Sequence, residues 1–459
     1  MKRAIALIDG EHYPNVVREA LEELSGRYQL SAAVLMGGTE KIDGALAADA
    51  KKNEYGVPVL LDADPLAAFT TALRRHRPQV VVDLSDEPVL GYRQRFHYAS
   101  YALAAGAEYQ GADFTFLPPS FHKLSAKPSV SVIGTGKRIG KTAVSGFLAR
   151  EVTRFFPGQG KSGKVVIVAM GRGGPPEPEL ISGDREKLGA AELLSFSRQG
   201  KHAASDYLED AALSSVTTIG CRRCGGGMAG MPFVSNVVEG ARLAETLPAA
   251  LVIFEGSGAA LPPIKADRVL CVAGANQPED YLLGYLGAYR MLISDAVVLT
   301  MCEEPLVSAG KVDRVIAGIN KINPGAEVVP TVLRPRPAGD VGGARVAYFS
   351  TAPAQIAGRI AGYISETYNC SVDFVSGELA KRDKLRAALA GLKQNAVDVF
   401  LTEIKAAAVD VVAEEADRRG TRLVFCDNVP VEAGGGGRLA PLMAGLAGQA
   451  MAEFGRTDG

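Results

Sequence analysis

Along residues 1–124, short apolar runs alternate with stretches in which apolar residues recur every three or four positions. "AIALID", "AAVLMG", "VPVLLD" and "QVVVDLSD" are the runs, and Val17 to Leu24 and Leu66 to Arg75 carry the helical spacing. This rhythm predicts a small open parallel sheet covered by helices, a Rossmann-like α/β domain. "FTFLPPSFHKLSAKPSV" then reads as a linker, with a boundary near Ser125 that divides the chain into 1–124 and 125–459.

The second segment restarts with "PSVSVIGTG" and continues through "KVVIVAMGRGGP", "SSVTTIG", "ALVIFEGSG", "DRVLCVAG", "DAVVLTMC" and "RVAYFSTA". These runs are mostly continuous rather than alternating in hydrophobicity, as strands buried on both faces of a parallel sheet require. Helical patterns such as "EDYLLGYLGAYRMLI" lie between them. After Asn369, "CSVDFVSG", "VDVFLTEI" and "TRLVFCDN" keep the rhythm, and "EAGGGGRLA" joins an end helix. The expected class is α/β, with a mostly parallel sheet and a smaller α/β domain before it.

Composition narrows the function. At 459 residues with 50 Lys and Arg against 51 Asp and Glu, the chain has no overall positive field to recruit nucleic acid or an anionic membrane. No apolar run approaches the roughly 20 residues that cross a bilayer. "MKRAIALIDGEHYP" meets Asp9 and Glu11 too early for a signal sequence, so a cytoplasmic location is expected. The six cysteines are scattered and are expected to be thiols.

Candidate chemistry gathers at predicted strand ends. In "SVSVIGTGKRIGKTAVSGFLAR", Gly134, Gly136 and Gly140 precede Lys141 and Thr142 between an apolar strand and a helix, the context of a phosphate-binding P-loop. Backbone N–H groups and the helix start favour an anion, Lys141 reaches the outer phosphates, and Thr142 can bind magnesium. Gly134, Thr135, Gly136, Ile139, Gly140, Lys141, Thr142 and Ala143 are the expected nucleotide-binding residues, with Thr135 standing where the common pattern has glycine. "LVIFEGSGAALPPI" ends a strand at Glu255, a second metal ligand, and Gly256 and Ser257 then admit substrate. "AMGRGGPPEPELI" and "CRRCGGGMAG" put Arg172, Arg222 and Arg223 in turns after strands. With Lys137 and Arg138 they exceed what a nucleotide needs, which points to a second, strongly anionic substrate. Lys141, Glu255, Lys137 and Arg138 are the catalytic candidates. Cys221 and Cys224 lack the further ligands a structural zinc wants, and the acids Asp9, Glu11, Asp83, Asp86 and Glu87 are expected to cap helices in solvent.

These motifs, in this order and in a chain of this length, resemble the cyclic 2,3-diphosphoglycerate synthetases, and the P-loop and glutamate turn also resemble dethiobiotin synthetases. The first resemblance spans the chain and implies ATP-dependent closure of 2,3-diphosphoglycerate into a cyclic phosphoanhydride, with ADP and phosphate released. It also implies magnesium and often potassium, and the P-loop relatives imply a homodimer. A kinase acting on a small phosphorylated acid, or a nucleotide-driven switch for a partner protein, remains open. For the adenine, "LTMCEEP" and "LRPRPAG" are expectations from position alone.

Overall fold

The computed structural model describes residues 1–454 apart from 39, 42–53, 125, 157–164, 184–188, 190, 193, 196–205 and 405–407. The boundary expected near Ser125 lies outside the described residues. The chain forms two compact units, Met1–Ser120 with Pro278–Ile293, and Phe121–Gln277 with Ser294–Gly459.

In the first unit β1 (Arg3–Ile8), β2 (Gln29–Leu35), β3 (Val59–Leu60), β4 (Val80–Asp83), β5 (Glu108–Gln110) and β6 (Thr115–Phe116) form a sheet ordered β3-β2-β1-β4-β5-β6. All neighbours are parallel except β5 and β6. Helix α1 (Pro14–Ser25) sets Val17 and Leu21, one turn apart, into a core with Ala6, Ile8 and Ala33. Helix α2 (Pro65–His76) begins where the Asp64 carboxylate accepts from Leu66 N at 3.0 Å. Helix α3 (Tyr92–Ala104) holds the stretch from Pro278, which the sequence pattern assigned to the second domain. Arg93 pairs with Asp280, the Ser100 hydroxyl donates to Tyr285 O at 2.9 Å, and the Phe96 and Tyr285 rings lie 5.5 Å apart. Tyr285 of "EDYLLGYLGAYRMLI" thus finds its aromatic partner in the first unit.

The acids at the ends of β1 and β4 differ from the solvated caps expected. Asp9 is fully buried, accepting from Glu11 N at 3.0 Å and Asp86 N at 2.6 Å. Asp83, also buried, accepts from Ser85 N, Arg95 Nε and Tyr109 OH. Each ties down the loop that follows its strand, because burying a carboxylate is costly unless hydrogen bonds meet its oxygens. His12 lies between Asp9 (Nδ1 to Oδ1, 2.8 Å) and Asp86 (Nε2 to Oδ2, 3.3 Å). Its hydrogen bond to Asp9, partly opposed by burial, raises its pKa. Protonated His12 therefore stabilises the unit fully below its unfolded pKa near 6.5, and that contribution is lost as pH rises through the higher folded pKa. His12→Gln is expected to lower the Tm near pH ~6 and by clearly less near pH ~8.5; equal losses in the two melts would remove the charge from this account.

In the second unit every apolar run expected as a strand forms one. In chain order these strands are β7 (Ser129–Gly134), β8 (Val165–Gly171), β9 (Glu179–Ser182), β10 (Thr217–Cys224), β11 (Val234–Ser235), β12 (Leu251–Glu255), β13 (Arg268–Gly274) and β14 (Ala296–Thr300). They continue with β15 (Glu327–Pro337), β16 (Arg345–Phe349), β17 (Ser371–Ser376), β18 (Val399–Thr402) and β19 (Arg422–Glu432). The sheet runs β11-β10-β8-β12-β7-β13-β14-β15-β19-β18-β16-β17, with β9 beside β10. Alternate residues of the central strands feed two cores. Val130, Val132, Ile167 and Ile253 meet α4 (Lys141–Phe155) and α5 (Asp206–Ser214), while Val166, Val168, Val252 and Phe254 meet α6 (Val237–Glu245). Among the described residues no helix is long and apolar enough to cross a membrane.

The strand β15 was not expected, since Pro330, Pro335 and Pro337 interrupt its apolar run. Its pairing accounts for Pro335 and Pro337. Ala338 N donates to Phe425 O at 2.8 Å on the β19 side. Because successive N–H groups alternate, Pro335 and Pro337 turn their missing donors to the other side, where β14 has already ended opposite Pro330. β15 and β19 are antiparallel, whereas β18, β16 and β17 follow β19 in parallel, so the last four strands form a lobe running opposite to β7.

Candidate active site

The central strand β7 ends at Gly134 between β12 and β13, and α4 starts at Lys141 after Gly140, whose φ is 86°. The unusual glycine at 134 has a steric reason. A Cβ there would stand 2.6 Å from Lys141 Cδ, so the lysine stem lies directly over this α-carbon and curls into the loop. Lys141 Nζ donates to Gly136 O at 2.9 Å, and the side chain is only 5 % exposed. Thr135 N donates to Val272 O at 3.1 Å, and the Gln277 side chain bonds both the hydroxyl and the carbonyl of Thr135. Behind the loop, buried Thr300 donates to Ile139 O at 2.8 Å. Gln277 and Thr300 were invisible in the sequence motif, because both are brought in from the ends of neighbouring strands.

The metal candidates meet. Thr142 Oγ1 donates to Glu255 Oε1 at 2.7 Å. Glu255 is fully buried, and its Oε2 lies in the interior with no hydrogen-bond partner. An orphaned carboxylate oxygen beside a helix-start hydroxyl is a hard-oxygen donor set that fits a magnesium ion carried with phosphates. Ala143 follows, buried, in the first turn of α4.

Two of the three expected arginines converge. Arg172 follows β8, and Arg223 lies on β10. Their common target is the tight turn after Glu255, where Ser257 and Ala260 exchange backbone bonds of 3.1 and 3.0 Å around Gly258. Gly258 has φ 61°, and a Cβ there would stand 2.8 Å from Arg172 Nη2 and 3.4 Å from Arg223 Nη2. Arg223 Nη2 donates to Ser257 O at 2.9 Å, and its buried Nε has no partner. Burial, and then the positive charge of Arg172, lower the pKa of Arg223. Two guanidinium groups crowded at one glycine turn have the charge and the donors to hold an anion. Gly256, whose N–H bonds Val132 O at 2.9 Å, closes the approach from the Glu255 side.

Arg222 is placed differently from the expectation. β10 extends through Cys224, pairing Arg222 with Gly171 and Arg223 with Ser235, so the two arginines are consecutive strand residues and not members of a turn. Consecutive strand residues project to opposite faces, and Arg222 is exposed. The same geometry separates Cys221 from Cys224. The first is buried, its thiol pushed up to about 12 by burial, and the second is exposed. Among the described residues no group of three or more His, Cys, Asp or Glu side chains gathers to hold a metal. Lys137 is exposed on the P-loop, and Arg138, with φ 59°, lines a cavity on the side of β13 to β17.

Comparison with known proteins gives the family. Three family models match, the N-terminal domain of cyclic 2,3-diphosphoglycerate synthetase over residues 3–117, its P-loop domain over 129–332 and its C-terminal domain over 337–429. A protein named cyclic 2,3-diphosphoglycerate synthetase from Rubrobacter xylanophilus is 52 % identical over 445 residues, covering 96 % of this chain and 97 % of its own. One of the same name from Thermococcus gammatolerans is 46 % identical and covers 94 % of both chains. Another, from Methanothermus fervidus, is 43 % identical and covers 94 % of this chain and 93 % of its own. Matched by these three models and by relatives along nearly its whole length, the chain belongs to the cyclic 2,3-diphosphoglycerate synthetase family.

Proposed function

We propose that the protein uses ATP to close 2,3-diphosphoglycerate into its cyclic phosphoanhydride, releasing ADP and phosphate. The observation that carries this reading is the Arg172–Arg223 pair at the Gly258 turn, immediately after Glu255. An acceptor bearing a carboxylate and two phosphates brings roughly five negative charges to the γ-phosphate, and only fixed cations offset that repulsion.

Lys141 binds the outer phosphates from inside the loop, and Gln277 and Thr300 hold that loop in shape. Thr142 and Glu255 would hold magnesium, which supplies charge neutralisation at the phosphates when bound. Arg172 and Arg223 orient the acceptor so that one of its phosphate oxygens faces the γ-phosphorus. That oxygen forms a new P–O bond as the bond to ADP breaks. The second phosphate of the same molecule then attacks the substrate phosphorus that carries the transferred group, and inorganic phosphate leaves with the bonding pair. Both attacking oxygens are already ionised, so no general base is required, and the closure is unimolecular. A homodimer in the cytoplasm is the setting we propose for this enzyme.

Phosphorus NMR of the protein with ATP, magnesium and 2,3-diphosphoglycerate tests the reaction. A pair of anhydride resonances that grows only with ATP is expected. ATP consumption with a stable open bisphosphate as product would assign a kinase instead, and turnover indifferent to the acid would assign a switch.

A further inference from the structure

The pairing of β8 with β10 stops just short of the two converging arginines. Its register runs from Thr217 opposite Val166 to Arg222 opposite Gly171, so Arg223 and Arg172 occupy the next pair of positions, where the ladder has ended. Like charges directly opposite one another on neighbouring strands repel. After burial, the charge of Arg172 is what lowers the pKa of Arg223. The spacing of the pair therefore depends on what holds the loop after β8 to the end of β10.

Two features hold it. Gly174 lies against β10, since a Cβ there would stand 2.0 Å from Cys221 O and 2.9 Å from Arg222 N. The second is Asn236, half-buried at the start of α6. An asparagine in this position usually accepts from the first N–H groups of its own helix. Here its side chain makes no such cap, and Ser235 Oγ accepts from Val237 N at 3.2 Å. Asn236 Oδ1 accepts instead from Arg222 N at 2.7 Å, and Nδ2 donates to Pro175 O at 3.2 Å and Pro176 O at 3.1 Å. Its backbone N donates to Arg222 O at 3.3 Å. Arg222 N can only donate and the proline carbonyls can only accept, so a side-chain amide, with an acceptor and two donors, meets all three.

We infer that Asn236 is the positioning residue of the arginine pair. It fixes the loop of Arg172 against the strand of Arg223 and so sets the span of the two guanidinium groups at Gly258. This rests on reading the pair as the group that holds the anionic acceptor. Arg223 is fixed independently, with Nη1 donating to Gly225 O and Nη2 to Ser257 O, each at 2.9 Å. The member of the pair that Asn236 adjusts is therefore Arg172. Forked contacts to phosphate demand both direction and distance, and a displacement of about 1 Å is enough to lose them.

The test is calorimetric binding of 2,3-diphosphoglycerate, in the presence of ADP and magnesium, and of ADP with magnesium alone. Asn236→Ala, Arg172→Ala and the double variant are compared with the unaltered protein, with a melting curve for each. Asn236→Ala is expected to weaken the acid about 15-fold while ADP changes less than about 2-fold. In the Arg172→Ala background the same substitution is expected to change the acid less than about 2-fold, because the group it positions is gone. Asn236→Asp keeps an acceptor for Arg222 N but sets an oxygen against the proline carbonyls. It is expected to match alanine, and it carries the test if the alanine variant fails to fold. Equal losses in both backgrounds, a lowered melting temperature with the acid bound as before, or undiminished binding by the aspartate variant would each overturn the positioning role and leave the arginine reading standing. Undiminished binding of the acid by Arg172→Ala would overturn the arginine reading, and this inference with it. Since no turnover is read, the outcome does not depend on whether the ring closes.

Discussion

Lys141→Ala is expected to lower ATP-dependent product formation by about 1,000-fold, equivalent to about 4 kcal/mol of transition-state stabilisation. The size follows from position. Lys141 is the cation inside the loop, buried to 5 % exposure, with its stem laid over Gly134 and its ammonium on Gly136 O. A charge held there acts on the phosphates in a water-poor setting without reorganising as charge moves, where electrostatic stabilisation is strongest. Lys141→Arg is expected to be rescued poorly, because the Gly134 α-carbon leaves no space for a planar fork along the same path. The variants are read by single-turnover phosphate release, with a melting curve to show that the loop still folds. A loss below about 10-fold for alanine would place the main phosphate cation elsewhere.

Much of this site was legible because its chemistry is compressed along the chain. The strand, loop and helix of residues 129–150 are contiguous, so glycine spacing and hydrophobic pattern agree within one stretch. Glu255 could be read in the same way, as the polar end of a buried run. The rest depends on pairing between distant strands. Gln277 clamps Thr135 only because β13 lies beside β7, and Thr300 reaches Ile139 from β14. The reversal of the final lobe is set by the antiparallel pairing of β15 with β19, which lie about 95 residues apart in the chain and which no local pattern connects. The turn reading of Cys221 to Gly227 failed for a related reason. The glycines that end β10 begin only at Gly225, so the strand continues through both arginines and alternation separates them.

That alternation yields the second large effect. Arg223→Ala is expected to lower kcat/KM for 2,3-diphosphoglycerate by about 150-fold, near 3 kcal/mol, whereas Arg222→Ala is expected to change it by less than about 3-fold. Residue type is the same and sequence position differs by one, so a difference of this size reports geometry. Arg223 reaches the Ser257 carbonyl and shares the Gly258 turn with Arg172, while Arg222 projects from the opposite face of β10. The loss should appear mainly in the KM for the acid with little change in the KM for ATP if Arg172 and Arg223, carried on the β8 and β10 side of β7, hold the acceptor as proposed. Arg223→Lys is expected to fall between the two, retaining charge without the forked contact. Equal losses at 222 and 223 would mean that both faces of β10 meet the substrate, and the cradle would then have to be built from the exposed strand edge instead of the glycine turn.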